Sequence, residues 1–346
     1  MTTYKEIAQC AGVSIATVSR MLNDSGYVSE EAQQRIHCAI SQLKYVSPRV
    51  PEALLRQNIR EIAFYTEDLV NPYYIMTYQG MVEQARVNGY RVVLCGKPDF
   101  ENIGQFAQGV IFSNEYLARY YLEKWDNPYH VPIVCMHTGS SFRLERSVPC
   151  VTADMTEVQE KAIAYLLKKG KRSIIYATPI PASENIRTQA YLHSMRDYAL
   201  PSRILSLSGD EVALLSSSVQ NTYAEASYLA LGVDAFTAGQ KIARRYAGEI
   251  ARLPGPRAIL CYNDELALGL YRELRRMGYR IPGDFGLLGI DGSSAVKYID
   301  CRLSTVDLFP GRQGKKCVEL LHAILHREKY HYRNRIAVKI REGDTV

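Results

Sequence analysis

The chain has 346 residues, with 42 Lys and Arg against 36 Asp and Glu, a formal net charge of +6 and 47% hydrophobic residues. That length exceeds a usual single core, and that composition belongs to a folded globular protein, so a disordered tail or a lone small module is excluded. The mild positive charge suits nucleic-acid binding but also many enzymes, and selects neither.

No run of residues is long and apolar enough to span a bilayer, and no secretory segment precedes the first predicted helix, so a cytoplasmic protein is expected. Eight cysteines are scattered without a C-x-x-C pair, as expected of reduced, mostly buried thiols.

The first element is predicted just after Thr3. Thr3 with Glu6 three positions on forms a capping-box pattern, and Ile7, Ala8 and Ala11 give a helical apolar stripe. Gly12 then breaks the helix at a turn. Ser14 caps a second helix, Ile15 to Leu22, whose Val18 and Leu22 pack back on the first. Its outward face holds Ile15, Ala16, Thr17, Ser19 and Arg20, a mixture of methyl groups, hydroxyls and one guanidinium that suits a major groove. A third helix is predicted over 28–46, capped at Ser29, with Ala32, Ile36, Ala39, Ile40 and Leu43 on one face. These three helices make a small all-α helix-turn-helix domain over 1–46.

The segment Ala11-Gly12-Val13-Ser14, then Ala16-Thr17-Val18-Ser19-Arg20 and Leu22-Asn23, resembles the DNA-binding domain of the lac/galactose repressor family. The resemblance implies that Thr3, Ser14, Ile15, Ala16, Thr17, Ser19, Arg20 and Asn23 contact an inverted-repeat operator on double-stranded DNA. It also implies a homodimer, since a two-fold dimer offers one recognition helix to each half-site. Residues 47–60 correspond to the family's hinge, where a short helix places a leucine in the minor groove. Counting from Tyr45 puts Leu54 at that wedge, with Leu55 the alternative because Pro51 departs from the family pattern.

From residue 61 the pattern alternates short apolar runs with amphipathic stretches, the mark of an α/β fold with parallel sheets. Strands are predicted near 61–67, 90–96, 109–114, 132–137, 150–154, 172–178, 203–209, 258–264 and 286–291, with a last one in RIAVKIRE, 335–342. The resemblance implies a two-lobed body like that of periplasmic binding proteins over 61–346. Its first lobe is expected at about 61–155 plus 309–328, and its second at about 156–308 plus 329–346. Ligands in such sheets bind beyond the carboxyl ends of strands. The family's effector cleft falls there, and the matching residues are Tyr73, Tyr74, Asp154, Arg187, Asn263 and Asp291. On residue chemistry alone, Asp264 reads as a helix cap and Asp154 as either a cap or a ligand. One cation, carboxylates, an amide and tyrosines together suit a small neutral sugar. The short stretch between the second and third strands resembles the subgroup that includes regulators of galactoside use. A purine effector is the alternative.

Enzyme signatures are absent from the sequence: no Gly-x-Gly-x-x-Gly after a strand, no Walker loop and no Gly-x-Ser-x-Gly elbow. His322, His326 and His331 read as exposed polar residues rather than metal ligands, and no cofactor is expected. A solute-binding protein would share the body but not the DNA-binding head. The expected function is therefore a sugar-responsive, DNA-binding transcriptional repressor, and the chain lacks the leucine heptads that would make a tetramer.

Overall fold

The computed structural model describes residues 3–22, 26–43, 60–66, 69, 71–96, 100, 103–127, 131–137, 148–179, 186–208, 211, 234–294 and 300–346. Asn23, Leu54, Leu55 and nearly all of the hinge lie outside these residues.

Helix α1 (Tyr4–Ala11) starts on the expected capping box: the Thr3 hydroxyl accepts from the Glu6 N–H, and the Glu6 carboxylate accepts from the Thr3 N–H. Gly12 ends it in the left-handed region at φ 64°, where a side chain would be strained. Helix α2 (Ile15–Leu22) begins with the Ser14 hydroxyl accepting from the Thr17 N–H at 3.0 Å. Helix α3 is Glu30–Gln42. Ile7, Ala8, Ala11, Val18, Val28, Ala32, Ile36 and Ala39 are the buried side chains that join the three.

The body holds two sheets of six strands each among the described residues. The first contains β1 (Glu61–Tyr65), β2 (Arg91–Cys95), β3 (Val110–Phe112), β4 (Ile133–His137) and β5 (Cys150–Thr152), all parallel. Helices α4 (Pro72–Val87), α5 (Ile103–Phe106) and α6 (Glu115–Trp125) connect them. The second contains β6 (Ser173–Ala177), β7 (Ile204–Leu205), β8 (Arg257–Cys261), β9 (Gly286–Asp291) and β10 (Ser304–Asp307), also parallel. Its helices are α7 (Met155–Lys168), α8 (Ile186–Asp197), α9 (Ala235–Ala251) and α10 (Asp264–Arg276). Helix α11 (Pro310–Leu325) returns to pack on α4. Side chains alternate between the two faces of each sheet, Ala63 and Tyr65 entering one core and Ile62 and Phe64 the other.

The C-terminal segment corrects the sequence reading. RIAVKIRE is not one strand: β11 (Arg333–Arg335) pairs parallel with β5, and β12 (Lys339–Arg341) pairs antiparallel with β10. Residues 333–335 therefore belong to the first sheet, although 329–346 were all expected in the second lobe. The chain crosses between sheets at 336–338, where Val338 is already buried in the second core. The same happens after β5 and after β10, so three strands of chain link the lobes.

Two helix pairs cross at glycines. A Cβ on Gly314 of α11 would stand 2.0 Å from the Thr77 carbonyl oxygen of α4, and one on Gly269 of α10 would stand 2.0 Å from the Phe236 carbonyl oxygen of α9. Each lobe is thus built around a helix pair in backbone contact. None of the eight cysteines is in a disulfide; four are buried, Cys95 and Cys301 are half-buried, and Cys10 and Cys38 on the head are exposed. His322 is half-buried, with Nδ1 2.9 Å from the Tyr90 hydroxyl and its ring 4.0 Å from that of His326. It therefore ties α11 to the residue before β2 rather than standing free as expected.

Candidate DNA-reading head and effector site

On the head, Val18 is fully buried while Ile15 is 50% exposed, so one face of α2 packs and the other looks outward. Ser14, Ala16 and Arg20 are exposed on that face, with Thr17 and Ser19 half-buried. The Thr17 hydroxyl lies 2.8 Å from that of Ser14, so these two share a hydrogen bond at the helix start. Thr3 is exposed and already holds Glu6. An outward Ile15, Ala16 and Arg20 beside hydroxyls at a helix N-terminus is an arrangement with the chemistry to meet base edges and phosphates.

In the body, the residues expected in the cleft gather at the carboxyl ends of β6, β8 and β9. Asp291 is the last residue of β9 and sits at φ 124°, a strained backbone for an aspartate. Its Oδ1 accepts from Arg187 Nη2 at 3.2 Å, and both side chains are largely buried. Arg187, at the start of α8, also donates through Nη1 to the Tyr262 carbonyl at 2.5 Å, and its guanidinium lies 4.7 Å from the Tyr262 ring centre. Burial works against the arginine's charge, but Asp291 beside it prevails and holds its pKa above the ordinary value. The result is a fixed cation and a fixed anion at the mouth of the second sheet.

Asn263 follows Tyr262 and caps α10, its side-chain oxygen accepting from the Leu266 N–H at 2.9 Å. Among the described residues no protein acceptor takes its Nδ2, which leaves an amide donor at the strand end. Asp264 is corrected: Asn263 is the cap, whereas Asp264 is fully buried and accepts from the Ser293 N–H at 2.6 Å and the Thr305 hydroxyl at 2.5 Å. Burial, with Asp291 nearby, holds the Asp264 carboxyl well above the usual range.

The opposing wall comes from α4. Asn71 caps it by accepting from the Tyr73 N–H at 2.9 Å, and Pro72 occupies its first position. Tyr73 packs against both the first-lobe and second-lobe cores, and its hydroxyl donates to Gln313 Oε1 at 3.1 Å. Burial raises its phenol pKa, with Asp291 adding to the shift and Arg187 opposing it. Tyr74 meets Tyr73 edge to face at 5.2 Å and packs on the first-lobe core. Across the same gap the Ser294 N–H lies 3.2 Å from Met76 Sδ.

Asp154 stands apart from this group. It caps α7, its Oδ1 accepting from the N–H groups of Thr156 and Glu157, and its Oδ2 lies 3.3 Å from Arg335. Tyr262 and Gln313 were missed from sequence. Tyr262 carried a signal, since it ends the strand just before Asn263; Gln313, inside an amphipathic helix, carried none.

Comparison with known proteins extends this picture. Residues 163–346, more than half the chain, match the family described as Periplasmic binding protein-like domain. Residues 3–47 match the family described as Bacterial regulatory proteins, lacI family. The ribose operon repressor of Bacillus subtilis (strain 168) is 26% identical over 339 residues, covering 95% of this chain and 93% of that protein. The HTH-type transcriptional repressor PurR of Vibrio cholerae serotype O1 (strain M66-2) is 25% identical over 359 residues, covering 100% of this chain and 98% of that protein. Among solved structures, the Lac repressor bound to ONPG in the repressed state superposes with a TM-score of 0.64 at 17% identity, over 100% of this chain and 99% of that one. A LacI family regulator from Arthrobacter sp. FB24, in complex with lactose, gives 0.65 at 18% identity, over 83% of this chain and 99% of that one. With a helix-turn-helix head joined to a two-lobed α/β body, the chain belongs to the lacI family of bacterial regulatory proteins and is a DNA-binding transcriptional regulator.

Proposed function

We propose that this regulator is a sugar-responsive repressor that binds an inverted-repeat operator as a homodimer in the cytoplasm, with α2 in the major groove. The observation that carries the effector class is the buried Arg187–Asp291 pair at the strand ends, with the Asn263 amide donor at the neighbouring strand end and Tyr73 packed between the two lobe cores. Sugar hydroxyls both donate and accept, so a fixed guanidinium, carboxylate and amide read their orientation, while tyrosine supplies an apolar face. A sugar phosphate would need a second cation, and the nearby Arg341 is already paired with Asp307. Among similar proteins, one is named a ribose operon repressor, others are named HTH-type transcriptional repressor PurR, and one solved structure of the same fold is a regulator–cellobiose complex.

Titration calorimetry of the full chain with galactose, lactose, ribose, cellobiose and hypoxanthine tests the reading. One sugar is expected to bind, with the binding abolished by Arg187→Ala or Asp291→Ala while operator binding survives. Binding of hypoxanthine alone would transfer the site to purines. A sugar that binds both variants as well as the parent chain would put the effector site elsewhere.

A further inference from the structure

The crossovers between the lobes carry an ion-pair cluster that the effector site does not require for its fold. Arg335 ends β11, in the first sheet, one residue before the chain crosses at 336–338. Its Nη2 reaches Glu157 Oε2 at 2.8 Å and Asp154 Oδ2 at 3.3 Å, both at the start of α7 in the second lobe. On the far side of the same crossover, Lys161 of α7 donates to the Val338 carbonyl at 2.8 Å and pairs with Glu157 at 2.7 Å. The start of α7 is therefore tied to the crossover on both sides, by the Arg335 guanidinium on one and by the Val338 carbonyl, through Lys161, on the other.

We infer that Arg335 is an inter-lobe positioning residue, a staple whose ion pairs hold one lobe arrangement and yield when the other is adopted. Its strength fits that role. Arg335 is 54% exposed, Asp154 37% and Glu157 19%, so water and salt screen the two pairs from the arginine's side, and their worth is a fraction of what would lock the molecule.

The full chain is compared with Arg335→Gln and Arg335→Lys, without effector, by hydrogen exchange and by binding to an inverted-repeat duplex selected from random-sequence DNA. The Gln variant should speed exchange of the amides at 155–157 and 333–338 several-fold, and 1 M salt should do the same to the parent chain. Operator affinity should change by about 3-fold or more, as loss of a partly exposed pair that differs between two states allows, with the Lys variant closer to the parent. Faster exchange with unchanged operator affinity would make Arg335 a local fold residue and overturn the inference, as would unchanged exchange.

Discussion

Arg20 and Arg187 carry the same guanidinium to opposite ends. Arg20 is exposed on a helix whose other face is packed, free to lie against a base edge. Arg187 is clamped by a carboxylate, a carbonyl and a ring. Arg20→Ala should cost about 1–3 kcal/mol of specific operator binding and little non-specific binding, as competition assays with scrambled DNA will read. Asp291→Asn should lower effector affinity at least about tenfold, the loss of a charged acceptor being worth more than about 1.4 kcal/mol, measured by calorimetry. Local chemistry was readable at such positions: Thr3 with Glu6 and Ser14 announced their caps. It failed at Asp264, because cap preference does not distinguish adjacent Asn and Asp, and only the burial of one by β9 and β10 decides.

At the scale of elements, all nine strands placed before residue 292 were legible, since their runs are mostly apolar, from the buried β9 to the partly exposed edge strands β2 and β7. Strands β10 and β11 were not. Ser304–Asp307 and Arg333–Arg335 are short and polar, and their pairing is imposed by the sheets they join. The glycine crossings were hidden too, because helix-interior glycine reads only as weak propensity. Gly314→Ala should destabilise by about 1–3 kcal/mol in urea denaturation, as the α4–α11 contact has no room for a methyl group. A second lever is Glu273 on α10, buried and paired with Arg244 of α9 and Arg276. These partners hold its carboxyl down at about 2 from an ordinary 4.5. The stability it contributes is therefore present above pH 4.5 and lost as pH falls toward 2. Glu273→Gln should lower the melting temperature at pH 7, and the gap to the parent chain should narrow as melts are repeated at lower pH.

The whole molecule is a head that reads DNA and a body that joins two lobes by three strands of chain, with Tyr73 lodged between their cores. The head was legible almost residue by residue, because its motif is local. The body's strand ends were legible as places to look, and Arg187 and Asp291 do pair there. What sequence did not convey is the crossing at 336–338, which depends on two sheets being satisfied by one run of residues. Coupling of both ends through this body requires that occupancy of the cleft alter operator affinity. Fluorescence anisotropy of the full chain on its selected inverted-repeat duplex, with rising concentrations of the sugar found by calorimetry, tests that most directly. A shift of about 5-fold or more is predicted, the lower range of a coupling between two sites. Operator binding that stays unchanged while the cleft is saturated would contradict it.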